Sequence, residues 1–202
     1  LGRAEELLAL CDDEADVPGS SSVLHDLLPA TLFKVVALLG GERAGEAIGV
    51  CRERLDDVEK EFGPNHLSVL EARGNLAVAL RDGNMLVESI REYRQLVKGY
   101  GWVLGPDHPS TLAMRHNLAS ALRDAGRVEE AVEALQEVLS DRLRVLGPDD
   151  HSTLTTRHDL ASALRDAGRV NEAVETYQGV LADQLRVLGP AHLDILATRH
   201  NL

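Results

Sequence analysis

The sequence predicts an all-α protein built from stacked pairs of helices. The main observation is a near-copy, because residues 104–145 and 146–187 are identical at 31 of 42 positions without a gap. A third copy begins at Leu188 as LGPAHLDILATRHNL. Within each copy, apolar residues recur at helical spacing in two stretches separated by a short turn. A fixed period of this size is typical of repeat proteins in which each unit packs on its neighbours.

The period divides residues 1–202 into a single repeat array. Its parts are a half-repeat plus a loop at 1–19, a degenerate repeat at 20–61, full repeats at 62–103, 104–145 and 146–187, and a partial repeat at 188–202. The segment DDEADVPGSSS at 12–22 has the composition of a flexible connection. The chain begins without Met and ends inside a repeat, so we expect a fragment of a longer protein.

Two apolar stripes predict the two helices of the 104–145 repeat. The stripes are Leu112, Leu118, Ala119 and Leu122 in the first helix, and Val128, Ala131, Val132, Leu135, Val138 and Leu139 in the second. Gly126 lies between them, where a left-handed residue is usually needed. Gly105 with Pro106 ends the preceding helix, and Pro109 suits a first helical turn.

The linkers between repeats contain a recurrent histidine. His66, His108 and His192 occupy the same place in a Gly-Pro-x-His pattern, where a capping or turn role is expected. In the 146–187 repeat the histidine is shifted by one residue to His151, and Asp150 stands in its place.

Composition argues against several classes of partner. The net charge of −12 is unfavourable for binding nucleic acid or anionic lipid, since both require clustered Lys and Arg. The longest apolar run, at 30–41, contains Lys34 and is too short to span a bilayer. The predominance of Ala, Leu, Arg, Gly, Asp and Val suggests a high-GC, bacterial source.

The two cysteines predict no metal site and no disulfide framework. Cys11 and Cys51 lack metal-ligand spacing, and a reduced, cytoplasmic setting is the default. Both align with an inward position of the repeat, held by Leu135 and Tyr177 in later copies, so we expect both to be buried.

The motifs N-L-A-x-x-L and G-R-x-x-E-A resemble those of the tetratricopeptide repeat. The 42-residue length and the LGPDHP linker are similar to the subfamily found in kinesin light chains and in bacterial arrays. The resemblance implies a right-handed solenoid of antiparallel helix-turn-helix repeats, non-catalytic and without cofactor or metal. Asn84 and Ser89 depart from the motif's Gly and Ala. An armadillo or HEAT array is the alternative, although two helices of comparable length argue against a three-helix unit.

The resemblance also implies that a polar stripe on the first helix of each repeat lines a concave groove. In the family, the Asn of N-L-A commonly hydrogen-bonds the backbone of a bound peptide, which suits an amide that both donates and accepts. The candidate groove residues are Asn75, Arg81, His116, Asn117, Ser120, Arg123, His158, Asp159, Ser162, Arg165 and Asn201. Asp159 interrupts the asparagine row. The structural alternative is that Asn117 contacts only the adjacent repeat.

An arginine row accompanies the asparagines. Arg81, Arg123 and Arg165 would bind carboxylates of an acidic peptide, since a guanidinium binds a carboxylate bidentately. The alternative is structural, because an Asp follows each Arg and neighbouring repeats would pair Arg with Asp laterally.

A histidine row recurs at the same period. His116, His158 and His200 lie on different repeats, too far apart to share a metal ion, and we expect polar groove residues. An enzyme built on these histidines alone lacks a visible nucleophile, base and orienting group.

Two functions therefore remain from the sequence. The first is a non-catalytic interaction module that holds a protein or peptide ligand in the groove. The second is a sensor or autoinhibitory arm of a larger bacterial nucleotide-switch (STAND/NB-ARC-type) ATPase. Half-repeats at both ends also favour self-association through unsatisfied apolar faces.

Overall fold

The structure, a computed structural model, describes residues 43–189 and 192–202, and every regular element in these ranges is a helix. The helices are α1 (Ala44–Phe62), α2 (Leu67–Asp82), α3 (Leu86–Val103), α4 (Pro109–Asp124), α5 (Val128–Val145), α6 (His151–Asp166), α7 (Val170–Leu188) and α8 (Leu193–Asn201). None of these helices has the length and apolarity needed to cross a membrane. The predicted half-repeat and loop at 1–19, Cys11 and the first helix of the 20–61 repeat lie outside the described residues.

The repeats at 62–103, 104–145 and 146–187 each contain two helices, as predicted. The helices α2, α4, α6 and α8 are the first helices of their repeats, whereas α1, α3, α5 and α7 are second helices. The described residues fall into a first unit that ends at Gly99 and a second unit that begins at Tyr100, so the boundary lies inside α3.

Left-handed residues lie in the turns that follow the first helices. Gly126 and Gly168 have φ angles of 74° and 77°, as predicted for Gly126. Asn84 holds the equivalent place after α2 with a φ of 59°. Since Asn tolerates this conformation better than most residues with a Cβ, the departure from Gly preserves the turn.

The linker histidines cap the first helices, as their place in the linker predicts. Nδ1 of His66 accepts a hydrogen bond from the N–H of Ser68 at 3.2 Å. His108 and His192 make the same contact in later repeats. Asp150 takes over this role before α6, where its carboxylate accepts from the N–H two residues ahead at 2.8 Å. Each cap satisfies a helix N–H that has no partner within the helix.

In the first unit, α1 and α2 pack against each other around a buried apolar core. Its members include Ala47, Ile48, Leu55, Val58, Val69, Leu76 and Leu80. Cys51 belongs to this core, as predicted, and burial raises the pKa of its thiol to about 11. Ser89 on α3 is also buried, and its hydroxyl donates to the carbonyl of Ala77 at 2.8 Å.

In the second unit, consecutive helices pack in order from α4 to α8. The predicted stripe of α4 is confirmed at Leu112, Ala119 and Leu122, which are buried, while Leu118 is only partly buried. On α5 the buried members of the predicted stripe are Ala131, Val132, Leu135 and Val138. The core positions therefore recur at the period of the sequence, which places the polar positions of the first helices at equivalent points in each repeat.

Candidate functional site

The predicted polar stripe lies on the first helices of successive repeats. Asn75 and Arg81 are on α2, His116, Asn117, Ser120 and Arg123 on α4, His158, Asp159, Ser162 and Arg165 on α6, and Asn201 on α8. Most of these side chains are partly buried. Since buried polar groups are normally hydrogen-bonded, their partners decide which of them remain available to a ligand.

A first inter-repeat cluster joins α4 and α5 to α6. His116 places Nε2 at 3.0 Å from Oδ2 of Asp159 and Nδ1 at 3.5 Å from Oγ1 of Thr156. Nη1 of Arg142, on α5, donates to Oγ1 of Thr156 at 2.5 Å and to the carbonyl of Ser152 at 2.7 Å. The cluster consists of His116, Arg142, Thr156 and Asp159, and it connects the 104–145 repeat to the next one.

A second inter-repeat cluster repeats this arrangement one period later. His158 places Nδ1 at 3.0 Å from Oγ1 of Thr198 and Nε2 at 3.3 Å from Nδ2 of Asn201. Oγ1 of Thr198 lies 2.8 Å from the end of the Gln184 side-chain amide, and its hydroxyl donates to the carbonyl of Asp194 at 2.9 Å. The cluster consists of His158, Gln184, Thr198 and Asn201, so the same four repeat positions connect α6 and α7 to α8.

The two clusters differ in charge. Burial lowers the pKa of the Arg142 guanidinium, and the nearby carboxylates of Asp150 and Asp159 oppose that effect. Burial alone would raise the pKa of Asp159, but the hydrogen bond from His116 and the charge of Arg123 hold it below its usual range. The first cluster therefore contains a cation and an anion where the second has the neutral amides of Gln184 and Asn201.

The histidine of the second cluster is held in its neutral form. Burial lowers the pKa of His158, although the carboxylates of Asp159 and Asp194 act in the opposite direction. A neutral imidazole matches the contacts, because one ring nitrogen accepts from the Asn201 amide while the other donates to Thr198. His158 also contacts the ring of Tyr177 edge-on, at a centroid distance of 5.3 Å.

Two members of the arginine row, Arg123 and Arg165, make loose contacts. Nε of Arg123 lies 3.9 Å from Oδ2 of Asp166 on the next first helix, which is the lateral pairing that the structural alternative predicts. Nη1 of Arg165 donates to Oδ1 of Asn201 at 3.3 Å. Partly exposed pairs of this kind contribute about 0–1 kcal/mol each. The Arg123 guanidinium can therefore exchange this contact for a ligand at little cost.

The remaining stripe residues divide into satisfied and unsatisfied groups. Ser162 is buried, and its Oγ lies 2.7 Å from the hydroxyl of Tyr177. The Ser120 hydroxyl donates back to the carbonyl of His116. By contrast, the amides of Asn75 and Asn117 hydrogen-bond no other residue within 43–189 and 192–202. These two amides are the stripe members whose hydrogen-bonding capacity is unused inside the described protein.

Metal-ligating side chains do not converge in the described part of the chain. No three His, Cys, Asp or Glu side chains there converge closely enough to hold a metal ion. His116 and His158 each contact the following repeat rather than one another.

Sequence reasoning did not identify Arg142, Thr156, Gln184 or Thr198 as members of these clusters. Their partners lie on other helices, 10 to 40 residues away, and side-chain directions between helices cannot be read from spacing alone. One signal was present in the sequence. Arg142 is followed 17 residues later by Asp159, whereas Gln184, at the equivalent position of the next repeat, is followed 17 residues later by Asn201.

Comparison with known proteins gives a concordant picture. A family model described as tetratricopeptide repeat matches residues 110–182. No curated protein matches the chain. A crystal structure of the nearly identical TPR-like repeats of a Podosopora anserina protein, described as a kinesin light chain, is 30% identical with a TM-score of 0.75. That alignment covers 87% of this chain and 83% of the other.

Two more distant structures share the fold. BtubC (BKLC) from P. vanneervenii is 15% identical over 100% of this chain and 79% of its own, with a TM-score of 0.76. Bacillus thuringiensis PlcR, in complex with the peptide PapR7 and DNA, is 15% identical over 99% of this chain and 67% of its own, with a TM-score of 0.67. Together with the consecutive helix packing, these likenesses confirm the predicted fold class of helix-turn-helix repeats.

Proposed function

This chain belongs to the tetratricopeptide repeat family, and from that premise we propose that it is a non-catalytic interaction module that binds an extended peptide in its groove. The observation that carries the proposal is the state of the asparagine row. Within the described residues, the amides of Asn75 and Asn117 have no hydrogen-bond partner, whereas His158, Arg165 and Asn201 of the stripe bond one another. An amide offers a donor and an acceptor, which matches a peptide unit in an extended backbone.

The proposed roles differ along the stripe. Asn75 and Asn117 hold the ligand backbone, and Arg123 exchanges its 3.9 Å contact with Asp166 for a carboxylate or carbonyl of the ligand. His116, His158 and Asp159 position these groups through the inter-repeat clusters. The PlcR structure supports a peptide ligand by analogy, because that protein is seen with a bound peptide on the same fold.

The proposed setting follows from charge and composition. A net charge of −12 disfavours nucleic acid and anionic membranes as partners, so we place the module in the cytoplasm of a bacterium with a protein or peptide ligand. Self-association through terminal repeats is part of the same proposal. No cofactor is assigned to it.

The test is selection from a displayed library of random linear peptides. We expect peptides to be enriched on the wild type and lost on the double variant Asn117→Ala with Arg123→Ala. Circular dichroism and thermal unfolding of that variant should remain close to those of the wild type, because neither side chain belongs to the core. Gln136→Ala is the matched control, since it removes an exposed amide from the second helix of the same repeat.

The outcomes separate the candidate functions. Enrichment that survives in the double variant, or unfolding of that variant, would contradict the groove assignment. If the wild type enriches no peptide, the sensor arm of a nucleotide-switch ATPase becomes the better proposal, with a domain of the same parent protein as the partner.

A further inference from the structure

A cavity of about 300 Å³ lies beside the second inter-repeat cluster. Its lining residues are His151, Thr155, His158, Gln184, Asp194 and Ala197, which come from α6, α7 and α8. This volume accommodates a long side chain rather than a whole peptide. The cavity therefore has the dimensions of a subsite for one residue of a bound segment.

Gln184 is the most informative residue in the cavity wall. Its side chain is only 2% exposed, and one end of its amide contacts Oγ1 of Thr198 at 2.8 Å. The other end of the amide hydrogen-bonds no residue in the described ranges, whichever way the amide is turned. Because the Thr198 hydroxyl donates to the carbonyl of Asp194, the amide nitrogen donates to Thr198, as Nη1 of Arg142 does to Thr156, and the amide oxygen is the unused end. That end belongs to a side chain lining the cavity, where a ligand would supply the missing partner.

Asp194 gives the cavity a negative charge that no described Lys or Arg neutralises. Oδ2 of Asp194 lies 3.6 Å from Nδ1 of both His151 and His192. Nδ1 of His192 accepts the N–H of Asp194 and so has no proton to donate to the carboxylate. Among the described residues, the carboxylate at the cavity therefore has imidazole contacts but no Lys or Arg partner.

The preceding repeat shows what occupies the equivalent place. There the position of Gln184 is held by Arg142, and the position of Asp194 by Ser152. The Arg142 guanidinium is 5% exposed and donates to the carbonyl of Ser152 and to Thr156. From one repeat to the next, the buried cation is thus replaced by a shorter neutral side chain, and an anion is added at the wall.

We propose that the cavity is a subsite for a cationic side chain of the bound segment, best filled by an arginine whose guanidinium lies between Asp194 and the Gln184 amide. The inference rests on the proposed function, since the arginine belongs to the ligand held in the groove. Asp194 binds the guanidinium as its counter-charge, and the Gln184 amide oxygen and Thr155 hydroxyl oxygen accept its remaining N–H groups. The methyl groups of Ala197 and Thr155 contact the aliphatic stem.

The test is a titration of the isotope-labelled protein, followed by two-dimensional NMR at about pH 8, where histidine is neutral. The probe is Nα-acetyl-arginine amide, and its neutral isostere Nα-acetyl-citrulline amide is the ligand control. We expect saturable shifts at Thr155, at Asp194 and at the Gln184 side-chain amide. The arginine derivative should bind at least about tenfold more tightly than the citrulline derivative, because only it carries the charge.

Two variants use the protein's own repeat as a template. Gln184→Arg fills the cavity with an internal guanidinium, and Asp194→Ser restores the serine of the other repeats, so both should fold and both should abolish the shifts. Glu175→Gln is the matched control, because it removes one exposed carboxylate of α7 outside the cavity. Circular dichroism checks that each variant keeps its helical content.

Each outcome decides the inference. Preference for arginine that disappears in Gln184→Arg and Asp194→Ser, and persists in Glu175→Gln, supports it. Equal binding of the two derivatives, no binding, or an equal loss in Glu175→Gln overturns it. The titration with the arginine derivative does not depend on the Asn117 and Arg123 variants. The arginine subsite can therefore be disproved while peptide selection still supports the groove, and the groove can be disproved while the titration still supports the subsite.

Discussion

Asp159 illustrates how one residue is explained by another that lies outside the stripe. By sequence it interrupts a row of asparagines formed by Asn75, Asn117 and Asn201. In the structure its carboxylate contacts His116 and raises the pKa of the buried Arg142 guanidinium against the effect of burial. Burying an arginine requires a compensating charge, and the carboxylate of Asp159 provides one for Arg142, which explains why Asp159 replaces asparagine in the row. In the next repeat, where Gln184 replaces the buried cation, the row again has an amide side chain, that of Asn201.

The first prediction follows from that compensation. Asp159→Asn should lower the free energy of unfolding by about 1–3 kcal/mol, because Arg142 loses a counter-charge and His116 loses a charged acceptor. Adding Arg142→Gln, which recreates the neutral second cluster, should recover part of the loss, with a coupling of about 0.5–3 kcal/mol. Urea unfolding of the wild type, both single variants and the double variant measures this coupling.

The control for the double-mutant cycle is Asn201→Asp, which adds a carboxylate where Gln184 provides no cation. It should not reproduce the stabilisation expected of Asp159, because its cationic neighbour is the exposed Arg165 guanidinium, which contributes only about 0–1 kcal/mol. Strictly additive effects of Asp159→Asn and Arg142→Gln would show that the two charges do not interact across the repeats.

At the scale of the helix, two glycines in equivalent secondary structure have opposite packing. Gly74 lies inside α2, and a Cβ added there would meet nothing within 4 Å. Gly99 lies inside α3, where an added Cβ would stand only 2.4 Å from Cδ2 of Leu70. Helix propensity favours Ala over Gly at both sites by about 0.5–1 kcal/mol, so packing alone decides the sign of the substitution.

We therefore expect Gly74→Ala to raise the free energy of unfolding by about 0.5–1 kcal/mol. Gly99→Ala should lower it by about 1–3 kcal/mol, since α3 must shift away from Leu70. Each variant serves as the control for the other in thermal or urea unfolding. Stabilisation by both substitutions would mean that α2 and α3 separate enough to admit the extra methyl group.

The helices were predictable from sequence to a greater extent than their polar contacts. Apolar spacing predicts the α4 and α5 stripes, and glycine at 126 predicts the left-handed turn, because both depend on local geometry. The cap at Asp150 also follows from its place in the linker. The contact of His116 with Asp159 spans 43 residues, and it depends on how neighbouring first helices are aligned. Such a contact requires the tertiary structure.

In the molecule as a whole, the second unit is joined by contacts between consecutive helices and by two clusters that each connect one repeat to the next. Stability in such a stack is approximately a sum of repeat terms and nearest-neighbour terms. The helix α8 packs on α7, and Leu196 is 55% exposed, whereas the equivalent Leu154 on α6 is 1% exposed. We therefore expect α8 to open without the rest of the unit.

Hydrogen exchange measures this difference in local stability between α8 and the other helices of the second unit. The amides of α8 should exchange fastest in the second unit, and those of α6 and α7 slowest. Opening of α8 breaks only the contacts of that one helix, whereas opening of α6 or α7 breaks contacts with helices on both sides. Thr198→Val removes the hydroxyl that links α8 to Gln184 and His158, so it should accelerate exchange in α8 while leaving α4 unchanged. Thr155→Val is the matched control on α6, since its hydroxyl donates only within its own helix. Equal protection of α6 and α8 would show instead that the second unit unfolds as one cooperative block, in which case the inter-repeat clusters act on the whole unit rather than on neighbouring repeats.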